Sequence, residues 1–268
     1  MAAVTHYLCT VLSHRSITST VFELSFDAVP IPSLDPAKPA PTEPFYFQGG
    51  QYISIVIPGA GPNGRDLRRA YSIASAPEVR PVELCIKVVD GGPGSNYLNN
   101  LRNGDTFKGF APYGDFTYKT SSVKNVCFIA TGTGIAPFRS MMLSKEFHDV
   151  PPKSILCLLG IRDEDELLYE QELSKKLYSG ESGNRFEAEW VACVSQPKGA
   201  WPGFKGRVTD YLRTLDTTYP WTDTEFYMCG AGQMIDEVRA FLTEKGVAKE
   251  AIHREIYFKQ PKHSTVGN

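Results

Sequence analysis

Hydrophobic and polar positions alternate in short runs through the first part of the chain. Residues 5–14 and 20–27 read as two strands, and VFELSF within the second alternates cleanly. QYISIVIP (51–58), RAYSIAS (69–75), VELCIKVV (82–89) and TFKGFAPYGDF (106–116) repeat the period of two, with turns such as PGAGPNG (58–64) between them. Six short strands with intervening turn signals predict an antiparallel six-stranded β-barrel. The proline-dense stretch AVPIPSLDPAKPAPTEPFYF (28–47) predicts an extended surface loop. GGPGSNYLNNLRNGD (91–105) differs: a glycine turn feeds an apolar-periodic helix, and Ser95 is placed to cap it.

From Lys119 the texture changes. After the polar linker KTSSVKN, apolar runs alternate with helical patterns. NVCFIA leads to a helix from Ile135, SILCLLG to DELLYEQELSKKL, FEAEWVACV to RVTDYLRTL, and EFYMCG to QMIDEVRAFLTEKG, before a last run, AIHREIYF. Strand–helix repetition predicts a doubly wound α/β domain with a parallel sheet and right-handed crossovers. Two domains are expected, residues 1–120 and 121–268, in line with a length of 268 residues.

Composition narrows the function. Hydrophobic residues make up 42% and charged residues 22%, which is ordinary for a soluble globular protein. A net charge of −2 argues against nucleic acid as a partner. No run approaches the roughly 18 apolar residues that span a membrane, and no basic start leads into an apolar core at the N-terminus. A cytoplasmic location is the expectation. The six cysteines are scattered, mostly within apolar runs, with no C-x-x-C, and the five histidines show no ligand spacing, so no metal site is expected.

Four stretches carry chemistry. RAYSIAS offers a guanidinium that can grip a phosphate in fork geometry, a ring that can lie on a flat heterocycle, and a small hydroxyl beside it. On its own it reads as an ordinary barrel strand with surface arginines. GGPGS presents backbone N–H groups at a helix N-terminus. ATGTGIAPFRSM (130–141) follows the first α/β strand, and Gly132 and Gly134 let its backbone approach a ligand. MCGAGQM (228–234) places a second glycine turn at the carboxyl end of a strand, with Cys229 near the cleft.

Taken in order, RAYSIAS, GPGSNYL, GTGIAPFRSM, LLGIRDEDELLYEQEL and CGAGQM resemble the ferredoxin–NAD(P)+ reductase family. The resemblance implies FAD and NAD(P)H as cofactors and hydride transfer between nicotinamide C4 and flavin N5. It implies that Arg69 binds the flavin phosphate, Tyr71 stacks on the ring and Ser72 bonds N5. Gly92, Gly94 and Ser95 would hold the flavin pyrophosphate, with Ile86 and Lys87 on the flavin strand. Gly132, Thr133 and Gly134 would hold the coenzyme's pyrophosphate, and Cys229 and Gly230 would flank the nicotinamide. Ser72, Cys229 and Glu255 are the implied catalytic residues, and Tyr257 or Phe258 the aromatic covering the ring. Ten residues follow Phe258, which departs from the family pattern.

Relatives selective for NADPH place an arginine after a serine where this chain has Ser195 and Gln196. Arg162, Lys198, Lys205 and Arg207 lie in nearby loops, so the preference between NADPH and NADH stays open. Arg65, Arg68 and Lys87 are expected to steer an acidic acceptor, a separate ferredoxin or flavodoxin. The alternative reading is an NADH-dependent reductase component of an oxygenase, or a cytochrome reductase.

Overall fold

A computed structural model describes residues 4–32, 45–119, 124–178 and 187–258. Most of the proline-rich stretch, the middle of the 119–125 linker and the tail after Phe258 lie outside these residues. Six strands form one antiparallel sheet: β1 (Thr5–Ser16), β2 (Val21–Pro30), β3 (Tyr52–Ile57), β4 (Leu67–Ser72), β5 (Val82–Lys87) and β6 (Thr106–Tyr113). Their order is β4-β3-β6-β1-β2-β5. The two end strands meet through a bridge between Ile73 and Leu84, which closes the sheet as a barrel. Inside it, Phe26 contacts Phe45 and Phe107 with ring centroids 6.1 and 5.2 Å apart.

Alternation holds in β3, where every second residue is buried. It fails in β2, where Val21 to Phe26 are all buried. The reason is local: Glu23 accepts hydrogen bonds from Arg15 (2.8 Å) and Tyr169 (2.9 Å), and Ser25 pairs with Ser13 at 2.6 Å. The polar face is therefore covered and paired rather than solvated.

Helix α1 (Pro93–Asn100) lies between β5 and β6. Five parallel strands, β7 (Asn125–Thr131), β8 (Ser154–Ile161), β9 (Glu187–Val194), β10 (Thr224–Ala231) and β11 (Ile252–Phe258), form a second sheet in the order β11-β10-β7-β8-β9. The chain leaves β7 toward β8 and β9, then returns to build β10 and β11 on the other side. The order reverses between β7 and β10, and the carboxyl ends of those strands are where such sheets bind ligands. The remaining helices are α2 (Ile135–Leu143), α3 (Lys145–Asp149), α4 (Glu170–Tyr178), α5 (Val208–Thr214) and α6 (Gly232–Glu244).

Two compact units emerge. One comprises Met1–Val123, Ala136–Pro152 and Asp165–Phe186; the other Lys124–Ile135, Lys153–Glu164 and Glu187–Asn268. Helix α2 thus groups with the barrel from its second residue. Its backbone lies so close to Gly49 that a Cβ there would come within 2.9 Å of Met141 Cα. In the second unit, Ile129, Leu158, Phe226, Met228 and Val238 lie in one core that includes residues of α5 and α6.

Three expected elements differ. RAYSIAS is a strand only to Ser72, and the strand begins earlier, at Leu67. Ser95 does not cap α1; Gly92 holds the N-cap position, with Pro93 as the first helical residue. The helix expected over DELLYEQELSKKL starts only at Glu170, because Tyr169 adopts φ 57°, outside helical space.

Candidate active site

In the first unit Arg69 and Tyr71 lie beside the start of α1. Arg69 and Tyr71 stand two apart on β4, and the N-terminus of α1 abuts both. A Cβ on Gly94 would overlap Tyr71 Oη and lie 3.0 Å from Arg69 Cγ. Only glycine lets the helix end come this close. Arg69 is exposed, and its Nη1 donates to the Arg68 carbonyl at 2.9 Å. Tyr71 is half-buried and its hydroxyl is pushed up to about 12, by burial against the opposing charge of Arg69. It is therefore a neutral hydroxyl at physiological pH. Ser72 closes β4, buried at 6% exposure.

The α1 terminus is arranged by Ser95 from inside the helix. Its Oγ accepts from Val89 N at 3.0 Å, and Asn96 Nδ2 donates to the carbonyls of Gly92 (2.7 Å) and Val89 (3.0 Å). Ser95 thus shapes the turn instead of pointing its hydroxyl outward. Pro93 has no N–H, and the first-turn amides of Gly94 and Ser95 have no acceptor within the helix. Amides without helical acceptors beside an exposed guanidinium fit a pyrophosphate. Ile86 lies in the barrel core at 1% exposure, so it offers a ligand its backbone alone. Lys87 Nζ is held by Glu166 Oε1 at 2.9 Å.

In the second unit two glycine turns meet backbone to backbone at the carboxyl ends of β7 and β10. A Cβ on Gly134 would overlap Cys229 O and lie 2.7 Å from Cys229 C. Gly230 takes φ 138°, and a Cβ there would overlap Thr131 Oγ1. That same Oγ1 accepts from Ala231 N at 2.9 Å, which ties the turns together. Gly132 takes φ 52°, and Thr133 is half-buried between the glycines.

Cys229 sits in β10, an interior strand, paired in register with Ala130 on one side and Glu255 on the other. Its side chain is fully buried rather than open toward a cleft. Burial pushes the thiol well up and the Glu255 charge adds to this, while a hydrogen bond with Tyr257 acts the other way. The thiol stays protonated and shapes the turn as a neutral group. Between Ile256 and Phe258 the register slips, leaving Tyr257 as the extra residue of a bulge.

Beyond β8 and β9, Arg162 Nε donates to Gln196 Oε1 at 3.0 Å, and Ser195 Oγ donates to the Ile161 carbonyl at 3.2 Å. Arg207 caps α5, its N–H bonded to Asp210 at 2.9 Å and its guanidinium 3.8 Å from Glu237. Lys198 is paired with Asp163 at 3.1 Å. Two residues with no expected role, Arg139 and Tyr169, form a bonded cluster with Glu172, Glu83 and Glu23 in the first unit. The one available signal was a single charge within the apolar helix IAPFRSMML.

Residues 36–118 match the oxidoreductase FAD-binding domain and residues 128–240 the oxidoreductase NAD-binding domain. The chain is 32% identical over 249 residues to ferredoxin–NADP reductase B of Sorangium cellulosum, covering 91% of this chain and 94% of that one. The chain belongs to the ferredoxin–NAD(P)+ reductase family. The two matched domains bind FAD and a nicotinamide nucleotide in this family's oxidoreductases. The phenol hydroxylase P5 protein of Acinetobacter pittii is 33% identical over 220 residues; the match covers 80% of this chain and 58% of that protein. The fold is shared with a Neisseria gonorrhoeae ferredoxin NADP+ reductase determined with bound FAD and NADP, at TM-score 0.75 and 20% identity, covering 96% of this chain and all of that one. Among the described residues no helix is long and apolar enough to cross a membrane.

Proposed function

We propose that this chain accepts a hydride from NAD(P)H on FAD and passes the electrons singly to an acidic ferredoxin or flavodoxin. The two cofactors supply the hydride and one-electron chemistry when bound; the protein supplies position and electrostatics. Residues 1–120 take the flavin and 121–268 the nicotinamide coenzyme, a division supported by the spans of the two matched domains. Arg69 binds the flavin phosphate, and Gly92, Gly94 and Ser95 present the α1 terminus to the pyrophosphate. Tyr71 stacks on the ring and Ser72 bonds its N5. Gly132, Thr133 and Gly134 hold the coenzyme's pyrophosphate; Cys229 and Gly230 line the nicotinamide position, and Glu255 handles protons. The observation that carries this reading is the close approach of Gly94, at the start of α1, to Arg69 and Tyr71 on β4, more than twenty residues earlier in the chain.

Acceptor docking falls to Arg65 and Arg68 rather than Lys87, whose charge Glu166 already answers. Arg68 Cζ sits over the Phe110 ring, 4.0 Å from its centroid, and the residue is exposed on the barrel surface. Free thiols at all six cysteines support a reducing, cytoplasmic setting. A second reading, an NADH-dependent oxygenase reductase component, draws on Gln196 standing where an arginine would favour NADPH, and on the phenol hydroxylase relative.

Stopped-flow reduction of the bound flavin by NADPH and by NADH separates the readings. Reduction by neither would remove the enzyme reading. Ferredoxin-dependent cytochrome c reduction then tests the acceptor: stimulation by added ferredoxin is expected, and its absence would leave the oxygenase component as the better account.

A further inference from the structure

Helix α2 carries one buried charge, and the mechanism above gives it no task. Arg139 is 7% exposed. Its Nη1 donates to the Ala74 carbonyl at 2.9 Å and to Glu83 Oε2 at 2.7 Å. Its Nε and Nη2 grip both oxygens of Glu172 at 2.8 and 3.0 Å. The Tyr169 ring covers the guanidinium at 4.5 Å, and the Tyr169 hydroxyl is tied to Glu23. The next residue repeats the attachment: Ser140 Oγ donates to the Ser75 carbonyl at 2.7 Å.

Both attachments fall on one short stretch. Strand β4 ends at Ser72, so the carbonyls of Ala74 and Ser75 no longer have a ladder partner on β3. Buried carbonyls need donors, and α2 supplies them. Ala74 N and Ser75 Oγ are meanwhile held by the backbone of Glu83 at 2.8 and 3.1 Å. Residues 73–75 are thus held on two sides. A buried ion cluster is a costly way to gain stability, since apolar residues of similar size do as well or better. What the cluster provides is a fixed direction for the chain leaving Ser72.

We propose that Arg139 is a positioning residue for the flavin reaction, which holds the Ala74 carbonyl so that the Ser72 hydroxyl two residues earlier stays at the flavin N5. This rests on the FAD reading of Ser72. Lysine cannot replace it: a compact ammonium cannot fork onto Glu172 and reach Ala74 at once.

The test uses the full chain with FAD, as wild type, Arg139→Lys and Ser140→Ala. In Arg139→Lys the limiting rate of flavin reduction at saturating NAD(P)H is expected to fall about tenfold, from misplacement alone, with FAD content and half-saturating coenzyme unchanged. Amide exchange at residues 73–75 should quicken about tenfold in the same variant while the α1 amides keep wild-type protection. Ser140→Ala, which buries no new charge, should slow reduction by about threefold, the loss of one neutral hydrogen bond. A wild-type limiting rate in FAD-loaded Arg139→Lys would overturn the proposal, as would FAD content and rate falling in proportion. Should that variant not fold, an unchanged rate in Ser140→Ala overturns it. A wild-type chain that bound no FAD would overturn the functional reading and this inference with it.

Discussion

The two proposed cofactor cradles are built from different materials. On the barrel, side chains form the grip: Arg69 and Tyr71 project from β4, and one glycine lets α1 come up to them. At the ends of β7 and β10 the backbone forms it: Gly134 and Gly230 lie against Cys229 and Thr131 with no room for a Cβ. A side-chain grip can give way, because a tyrosine or arginine can swing aside. A backbone cradle cannot, because moving one turn means moving a central strand. The two should therefore fail differently when a single methyl is added.

The largest effect is expected at Gly134→Ala. The new methyl meets the carbonyl group of Cys229, so relief requires a shift of β10 itself. Destabilisation of about 3 kcal/mol is expected, the upper end for overpacking, together with loss of coenzyme binding. Gly132→Ala is the internal control: φ is 52°, but nothing lies within 4 Å of the added Cβ. It should cost about 1 kcal/mol of backbone strain alone. Urea unfolding of both variants decides this, and equal losses would refute the backbone account.

Gly94→Ala should hurt less. Its methyl overlaps the Tyr71 hydroxyl, the far end of a half-buried side chain that can rotate away. FAD affinity is expected to fall about tenfold while global stability drops by less than about 1.5 kcal/mol. Tyr71→Phe removes the oxygen that the methyl strikes, so the double variant should recover part of the loss. Strict additivity in that cycle would separate Gly94 from Tyr71 and break the side-chain account of the grip.

The same contrast explains what could be read from the sequence. Strands such as β3 were legible because one face meets the core and the other does not, and the glycine turns because spacing after a strand announces them. Ser95 misled because a serine near a helix start usually caps it; here proline at the first position leaves Gly92 as the cap, and the hydroxyl turns inward to Val89. The late start of α4 was hidden because Tyr169 reads as an ordinary helical residue. Its positive φ comes with contacts from elsewhere in the chain, to Glu23 and Arg139. Arg139 drew no role from the sequence, because its partners, Ala74, Glu83 and Glu172, lie 65, 56 and 33 residues away. Periodicity reports which face is covered; it does not report which distant groups do the covering.

An effect that stays silent at neutral pH concerns the proton on Tyr71, and it tests whether the flavin ring lies where the grip implies. An unfolded tyrosine ionises near pH 10, whereas in the fold Tyr71 is pushed up to about 12 by burial. The folded chain holds this proton more tightly. The stability it contributes is complete below about pH 10 and is lost as the pH rises toward about 12, because the unfolded state ionises first. Tyr71→Phe lacks the group, so its stability should decline less steeply than wild type over that window. Parallel curves would mean that Tyr71 ionises as readily in the fold as outside it. Adding FAD sharpens the test: a ring stacked on Tyr71 deepens its burial, so the gap between the two curves should widen. A flavin bound elsewhere on the barrel would raise both curves equally and leave the gap unchanged.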